Sequence, residues 1–555
     1  RLQMESFDVI VVGAGIAGLA AARELIKKEP TLKVLVLEGK DRVGGRTLTV
    51  DVQTANHTTD KFDMGGQWVG RTQKELLALL KELNIELYDQ FETGRKMAQL
   101  GTEKIRTYSA SLPVFAAGSF TLYEVIDFVR NIFRMNRMSN KINLLDAFSW
   151  EGAIAADEHS VASFARSVAL TRSARDALDI GMRAVYGAEG KRMSLLYHLL
   201  YCKSGGSFMD LIEATGDGAQ AFRIKGGSQQ ISIKLAEALG AERVRLRSGV
   251  RRVETSEAGP TRVTLENGER LECKRLVLAI PPSQCGVVEF SPPLGYLKRR
   301  LYDNMTPGHL IKFVVTYKSA FWREDGKSGE IISAGRTTIP GEILPIVCSY
   351  DATTSNGSPA IVGFIHAELH DWTLNERCNA VVKDLVRFFG TKALAEFIAY
   401  EEKNWNKEPF NGGCPVDYVT PGNMDAFGTI RDMHYGVHFA GTETALVWMG
   451  YMSGAVESGK RAANEVLHAL ELREKVDHKY LSGSQFSVEY HHPHPPSDHY
   501  EDTTSPWRRR IFFGAALVFG IYAVSKKYDL SYTARVFRPV EKSVFRWWTG
   551  SEWPH

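Results

Sequence analysis

Cysteine is scarce and scattered in this chain of 555 residues. The six thiols are Cys202, Cys273, Cys285, Cys348, Cys378 and Cys414. They form no CxxC pair and no metal-ligand spacing, so reduced thiols in a cytosol-facing protein are expected, with no metal site. An excess of charge of one sign is also missing. The formal net charge is +3 on an otherwise ordinary soluble composition, so no global basic surface points to nucleic acid. There is no internal repeat. No N-terminal signal run is visible, because the first apolar stretch, Val9 to Val12, is broken at once by glycine. The chain opens at Arg1 with Met4 just inside, which leaves a fragment open. The length leaves room for two or three domains.

What is present is a glycine loop in a specific setting. Gly13-Ala-Gly15-Ile-Ala-Gly18 follows the apolar run Asp8 to Val12 and precedes a helical pattern. Glu38 closes the next apolar run, twenty residues past Gly18. A strand, glycines, a helix and a later acid together make a dinucleotide fingerprint. The glycines allow backbone to approach a pyrophosphate, and the helix N-terminus offers it free N–H groups. Glu38 can accept from a ribose hydroxyl. The pattern alone does not separate NAD from FAD.

The expected fold is mixed α/β with a discontinuous dinucleotide domain. Segments 7–85, 224–300 and 407–470 supply its strands and helices, including a helix at Gln229 to Leu239 and a buried strand at Arg275 to Ile280. Segments 86–223 and 301–406 would form a substrate domain of helices over a mixed sheet. Ligand pockets favour such seams. Residues 471–506 read as a polar linker, and the prolines within Tyr490-His-His-Pro-His-Pro-Pro496 argue against a fixed metal site there. Next comes Trp507-Arg-Arg-Arg510, fifteen uncharged residues from Ile511 to Ser525, and Lys526-Lys527. As a helix that run spans about 22 Å, short of a hydrocarbon core of about 30 Å. Snorkelling of its basic flanks can extend the reach, so 507–527 is expected to be a membrane-anchor helix. An amphipathic extension, 528–555, follows.

Further motifs narrow the class. Asp41-Arg-Val-Gly-Gly45-Arg46-Thr47 and Asp63-Met-Gly-Gly66 extend the glycine loop in the manner of flavoproteins. Gly308-His-Leu-Ile-Lys312, Glu401-Glu-Lys-Asn-Trp405, Gly412-Gly-Cys414, Phe439-Ala-Gly-Thr-Glu-Thr444 and Gly450-Tyr-Met452 follow in register. From about Phe7 to about His468 the chain resembles the monoamine oxidases of the flavin amine oxidase superfamily. The resemblance implies FAD, held by an 8α-S-cysteinyl bond to Cys414, and oxidation of an amine with dioxygen as acceptor. The expected products are an aldehyde and hydrogen peroxide, with ammonia from a primary amine or a smaller amine from a secondary one. It also implies the mitochondrial outer membrane, with the catalytic part facing the cytosol and the C-terminal helix in the bilayer. A homodimer stays open.

Site roles follow from the same resemblance. Lys312 would hold a water against the flavin and promote its reaction with dioxygen. Tyr451 would face the amine, Gln220 would line the pocket, and Trp405 would pack near the flavin. Gly13, Gly15, Gly18, Glu38, Arg46, Gly66, Val250, Thr442, Glu443 and Met452 would bind the cofactor, with Arg46 adding a cation at the phosphates. Ile212 would be a gate. One departure stands out: relatives carry a second cage tyrosine after the flavin cysteine, where this chain has Pro415. Half the cage is then left, unless Tyr418 swings in. Relatives also make a cis turn there. Cis costs about 3 kcal/mol for an ordinary residue and about 0.5 to 1 for X-Pro, so a cis Cys414–Pro415 bond is expected. A polyamine oxidase and an L-amino-acid oxidase are the enzyme alternatives, the latter needing a carboxylate-binding cation for which Arg183 is the nearest candidate. A membrane-tethered flavin-binding scaffold is the non-enzyme alternative.

Overall fold

The computed structural model describes residues 4–109, 120–213, 218–257 and 259–481. The anchor 507–527, the extension 528–555 and most of the linker lie outside the described residues. All described residues belong to one compact unit. Among them, no helix is long and apolar enough to cross a membrane.

The chain starts with strand β1, Glu5–Val12, whose residues Val9, Ile10 and Val11 are fully buried. Burial on both faces is what a central parallel strand requires, and it explains the continuous apolar run. Helix α1, Ile16–Lys28, follows directly with Gly15 at its N-cap. Its apolar face, including Ile16, Leu19 and Leu25, is buried, and Lys27 and Lys28 sit at the C-terminal end where the helix dipole favours cations. Strand β2, Val34–Leu37, returns parallel to β1.

Around this βαβ unit an eight-stranded sheet is assembled from three distant stretches. Its order is Val244–Arg245, β2, β1, Arg270–Leu278, Thr261–Leu265, Val250–Glu254 and Glu289–Ser291. The strand Val437–Phe439 pairs parallel with the far end of Arg270–Leu278. The helix Met452–Ala469 then packs on α1. Gly459 makes that contact close: a Cβ there would lie 2.3 Å from the Ala17 carbonyl oxygen.

A second, seven-stranded sheet runs Phe397–Asn404, Ile311–Tyr317, Ala360–Ile365, Ile346–Asp351, Lys327–Ser333, Arg95–Gln99 and Arg106–Ser109. It is antiparallel except between Lys327–Ser333 and Arg95–Gln99. Its core holds Phe313, Tyr317, Trp322, Ile331 and Phe389. Helices 122–139, 161–168, 172–186 and 195–205 come from the chain between its strands Arg106–Ser109 and Ile311–Tyr317. The pair Met305–Pro307 with Asp417–Val419 links chain from either side of that sheet.

Candidate active site

One cavity of about 630 Å³ collects most of the residues singled out by sequence. At one end stand Gly13, Gly15, Glu38 and Val250; at the other Gly66, Gln220, Lys312, Trp405, Cys414, Thr442, Tyr451 and Met452. Gly18 and Glu443 do not line it. Gly18 instead permits the turn to close, since a Cβ there would meet the Gly13 carbonyl oxygen at 1.9 Å.

The fingerprint end is built by backbone. Gly13 has φ +100°, open to glycine and strained for other residues, and its missing Cβ would lie 2.6 Å from the Ala279 carbonyl oxygen. Glu38 is 5% exposed. It accepts from the Ala14 N–H at 2.7 Å and the Lys40 N–H at 3.0 Å, which aims its carboxylate across the loop.

Arg46, expected to add a cation at the phosphates, lines the cavity, and its guanidinium is ion-paired within the protein. It donates to both carboxylate oxygens of Glu443 and, at 2.9 Å, to the Pro415 carbonyl. Glu443 is fully buried and requires a counter-ion, which is the physical reason. Asp417 sits beside this pair, its N–H donating to Glu443 at 3.2 Å. Burial, then the Glu443 charge, push its carboxyl up to about 7.

The other end is aromatic. Trp68 meets Tyr350 edge-on with ring centroids 5.1 Å apart, and Tyr201 lies 6.1 Å from Tyr451. A Cβ on Gly450 would stand 1.8 Å from the Tyr201 hydroxyl, so glycine lets that ring reach Tyr451. The Tyr451 hydroxyl donates to the Leu211 carbonyl at 3.0 Å, which fixes its face toward the cavity wall. The Cys414–Pro415 bond is cis, and Pro415 lines the cavity. Tyr418 does not. It is 1% exposed and held in the strand Asp417–Val419, so it does not replace the absent cage tyrosine. Ile212 lines the cavity; Arg183 does not, and is committed to Asp179 and Glu189.

Lys312 is 2% exposed on the strand Ile311–Tyr317. Its Nζ donates to the Gly65 carbonyl at 2.9 Å and to Gln67 Oε1 at 2.7 Å. Burial pulls its ammonium down to about 7, opposed by the Asp63 carboxylate. Trp405 donates Nε1–H to the Met64 carbonyl at 2.8 Å. The Cys414 thiol is pushed up to about 12 by burial, with Arg46 and Lys312 acting in the other direction.

Sequence reasoning missed Gln67, Trp68, Tyr201, Tyr350 and Phe364 in the wall. Gln67 and Trp68 were legible as neighbours of Gly65-Gly66. Phe364 faces Lys312 across the ladder, a pairing set by strand register that no local motif carries.

A dinucleotide-length group fits this cavity. A side chain at Gly15 would stand in open space with only the Gly45 Cα within reach, at 3.9 Å. Buried Gln67 Nε2 and Gln220 Oε1 line the cavity and have no protein partner. Fold and site together define a flavoprotein oxidoreductase. The family model for flavin-containing amine oxidoreductases matches residues 16–467. The chain is 36% identical over 480 residues to flavin-containing amine oxidase A of Bos taurus, covering 84% of this chain and 86% of that one. It is 34% identical over 471 residues to flavin-containing amine oxidase B of Homo sapiens, covering 83% and 86%. Among solved structures, cyclohexylamine oxidase of Brevibacterium oxydans superposes with a TM-score of 0.76 at 27% identity, covering 84% of this chain and 99% of that one. The chain belongs to the flavin-containing amine oxidase family, which implies FAD as its cofactor.

The Lys312 environment gives a test by pH. An unfolded lysine titrates near 10.4, so between about 7 and about 10 the unfolded chain holds a proton that the folded chain has released. The penalty for burying the ammonium is full below about 7 and is relieved as pH rises. The stability advantage of Lys312→Met over the parent should therefore shrink by about 1 kcal/mol per pH unit across that window. Urea titrations of both proteins at several pH values read this; a flat difference would mean that the ammonium is not desolvated.

Proposed function

We propose that this chain carries out oxidative deamination of primary amines, yielding an aldehyde, ammonia and hydrogen peroxide, and of some secondary amines, which release a smaller amine in place of ammonia. The chain is a flavin-dependent amine oxidase by family, and the proposal concerns which amine and which residues. FAD, when bound, supplies the acceptor for two electrons from the amine Cα and hands them to dioxygen. The observation that carries the reading is the continuity of one cavity, from the glycine loop to the aromatic chamber at Tyr451.

Each residue then has a task. Gly13, Gly15 and the N-terminus of α1 take the pyrophosphate, Glu38 the ribose, and Val250 the adenine side. Thr442 and Met452 offer backbone N–H groups at the ring end. Cys414 is the covalent attachment point. Trp405 and Tyr451 wall the reacting centre, and Gln220 orients the substrate. A neutral Lys312 accepts a hydrogen bond from water in the cavity, and a protonated one supplies positive charge where dioxygen is reduced; a value near 7 makes both forms available. In sequence terms, 7–85, 224–300 and 407–470 serve as the FAD domain, and 86–223 with 301–406 as the substrate domain. We assign the tail from Trp507 to Lys527 as the anchor in the mitochondrial outer membrane.

The committed Arg183 weakens the amino-acid-oxidase reading, because a substrate carboxylate would need a free cation in the chamber. A polyamine oxidase is separated from this proposal by the flavin bond. Cys414→Ala should bind flavin and release it on acid denaturation, whereas the parent retains it; equal release from both would remove the covalent assignment.

Substrate choice follows from Pro415. A proline face can pack on an alkyl chain but has no quadrupole to polarise an amine. A panel of alkyl and arylalkyl amines, read by peroxide release, should show activity in the parent with weak aryl preference. Pro415→Tyr should raise arylalkyl over alkyl kcat/KM by about 1 to 2 kcal/mol, about 5- to 30-fold. Silence of the parent across the panel would favour a flavin-binding scaffold.

Deletion from Trp507 onward should yield protein that stays in the supernatant in high salt and keeps amine-driven flavin bleaching. Continued pelleting with membranes would show that the tail is not the main anchor.

A further inference from the structure

A second cleft lies against the glycine-loop end of the cofactor cavity. Its volume is about 570 Å³. Gly39, Lys40 and Phe410 border both spaces. The Phe410 ring is the partition: a Cβ on Gly39 would stand 2.9 Å from it, so the ring lies close over that backbone. The other residues of the cleft take no part in the cofactor cavity.

The charge in the cleft is unbalanced. Four cations border it, Lys40, Arg42, Arg247 and Lys403. Three of them converge on one acid. Glu408 accepts from Lys40 Nζ at 2.8 Å and from Arg42 at 2.5 Å, and it also pairs with Lys403. Burial would raise the Glu408 carboxyl, but hydrogen bonds from Lys40 and Lys403 hold it down to about 2, so it is ionised. The second acid, Asp41, is exposed to solvent. Among the described residues no carboxylate pairs with the Arg247 guanidinium. Four cations thus face two acids.

The backbone of the wall is also unusual. Arg247 has φ +51° and Phe410 has φ +61°, in the left-handed region that residues other than glycine rarely adopt. Eight such residues occur among those described, and two of them border this one cleft. Backbone strain of this kind gathers where a ligand is gripped. The Arg247 N–H donates to the Lys40 carbonyl at 2.8 Å, which holds its loop beside the other cations. Leu48, Pro409 and Phe410 add an apolar part of the wall, and Phe410 is 37% exposed.

We infer that this cleft binds the diphosphate group of a small phosphorylated ligand. Guanidinia meet phosphate oxygens through parallel N–H donors, and a walled cleft of one sign concentrates anions. A diphosphate matches the excess of positive charge, which would repel a metal ion or a second amine. The apolar wall suits a nucleoside, so a nucleoside diphosphate and free pyrophosphate are the two sources to separate. The inference goes beyond the oxidase reading and does not rest on it.

The test is calorimetric titration of the full-length, flavin-loaded protein with ADP and with pyrophosphate. Flavin absorbance confirms that the cofactor cavity is occupied and closed to both probes. Salt is kept at about 50 mM, where screening is weaker than at physiological strength. Saturable binding is expected. Tighter binding of ADP assigns the cleft to a nucleotide, and equal binding assigns it to the diphosphate alone. Arg247→Asn removes the charge and keeps a residue that tolerates positive φ; it should weaken binding by about tenfold. Lys403→Gln should weaken it similarly, and it carries the test if Arg247→Asn loses its flavin absorbance. Lys81→Gln, on the helix Lys74–Glu82 outside the cleft, should leave binding unchanged. Absence of binding by both probes overturns the inference. So does binding that both cleft variants leave intact, or that Lys81→Gln weakens equally, which would be attraction to net charge alone.

Discussion

The buried ion pair of Arg46 with Glu443 holds three distant parts of the chain at one point. Arg46 comes from the loop after β2, Glu443 from the turn before the helix Met452–Ala469, and the Pro415 carbonyl on the same guanidinium from the cysteine turn. A fully buried carboxylate left alone would cost several kcal/mol, so each segment is bound to the others by the need to neutralise it. Asp417 adds a second carboxyl to a site with one guanidinium. Burial and the Glu443 charge hold that second group near neutrality, which lets three acidic and basic groups share a dry space.

Around that point the cavity changes character along its length. The glycine loop end is backbone and fixed by sheet geometry. The chamber end is aromatic: Tyr350 and Phe364 come from the second sheet and Tyr201 and Tyr451 from helical segments, while the strand Ile311–Tyr317 of that sheet brings Lys312 to Gly65 and Gln67. The lysine thus ties the second sheet to the loop of Gly65 and Gln67 as well as titrating. Its hydrogen-bond partners lie on the segment that follows the Arg46 loop, so the ring end is braced from both sides.

Much of the site was legible because its chemistry is local. Gly13, Gly15 and Glu38 are identifiable from spacing, since a strand, a tight turn and a helix are neighbours in sequence and in space. Lys312 announced itself as a cation inside an apolar run. The role of Arg46 was not legible: an arginine in a glycine-rich loop looks free until its partner, almost 400 residues away, is brought beside it. The position of Tyr418 was left open for a related reason. Its nearness to Cys414 in sequence says nothing of which side of the strand Asp417–Val419 faces the cavity. Tyr201, Tyr350 and Phe364 carry no motif, because aromatic residues in strands and helices usually fill cores.

The sequence by itself determined the dinucleotide-binding architecture, the flavin class and the residue that distinguishes this chain, Pro415. Short-range constraints suffice for these: φ freedom at glycine, apolar periodicity, and residue identity at a fixed offset. Only the tertiary structure decided which charges are paired and which rings line the cavity. Those outcomes depend on desolvation and strand register, which exist only once distant segments share one interior.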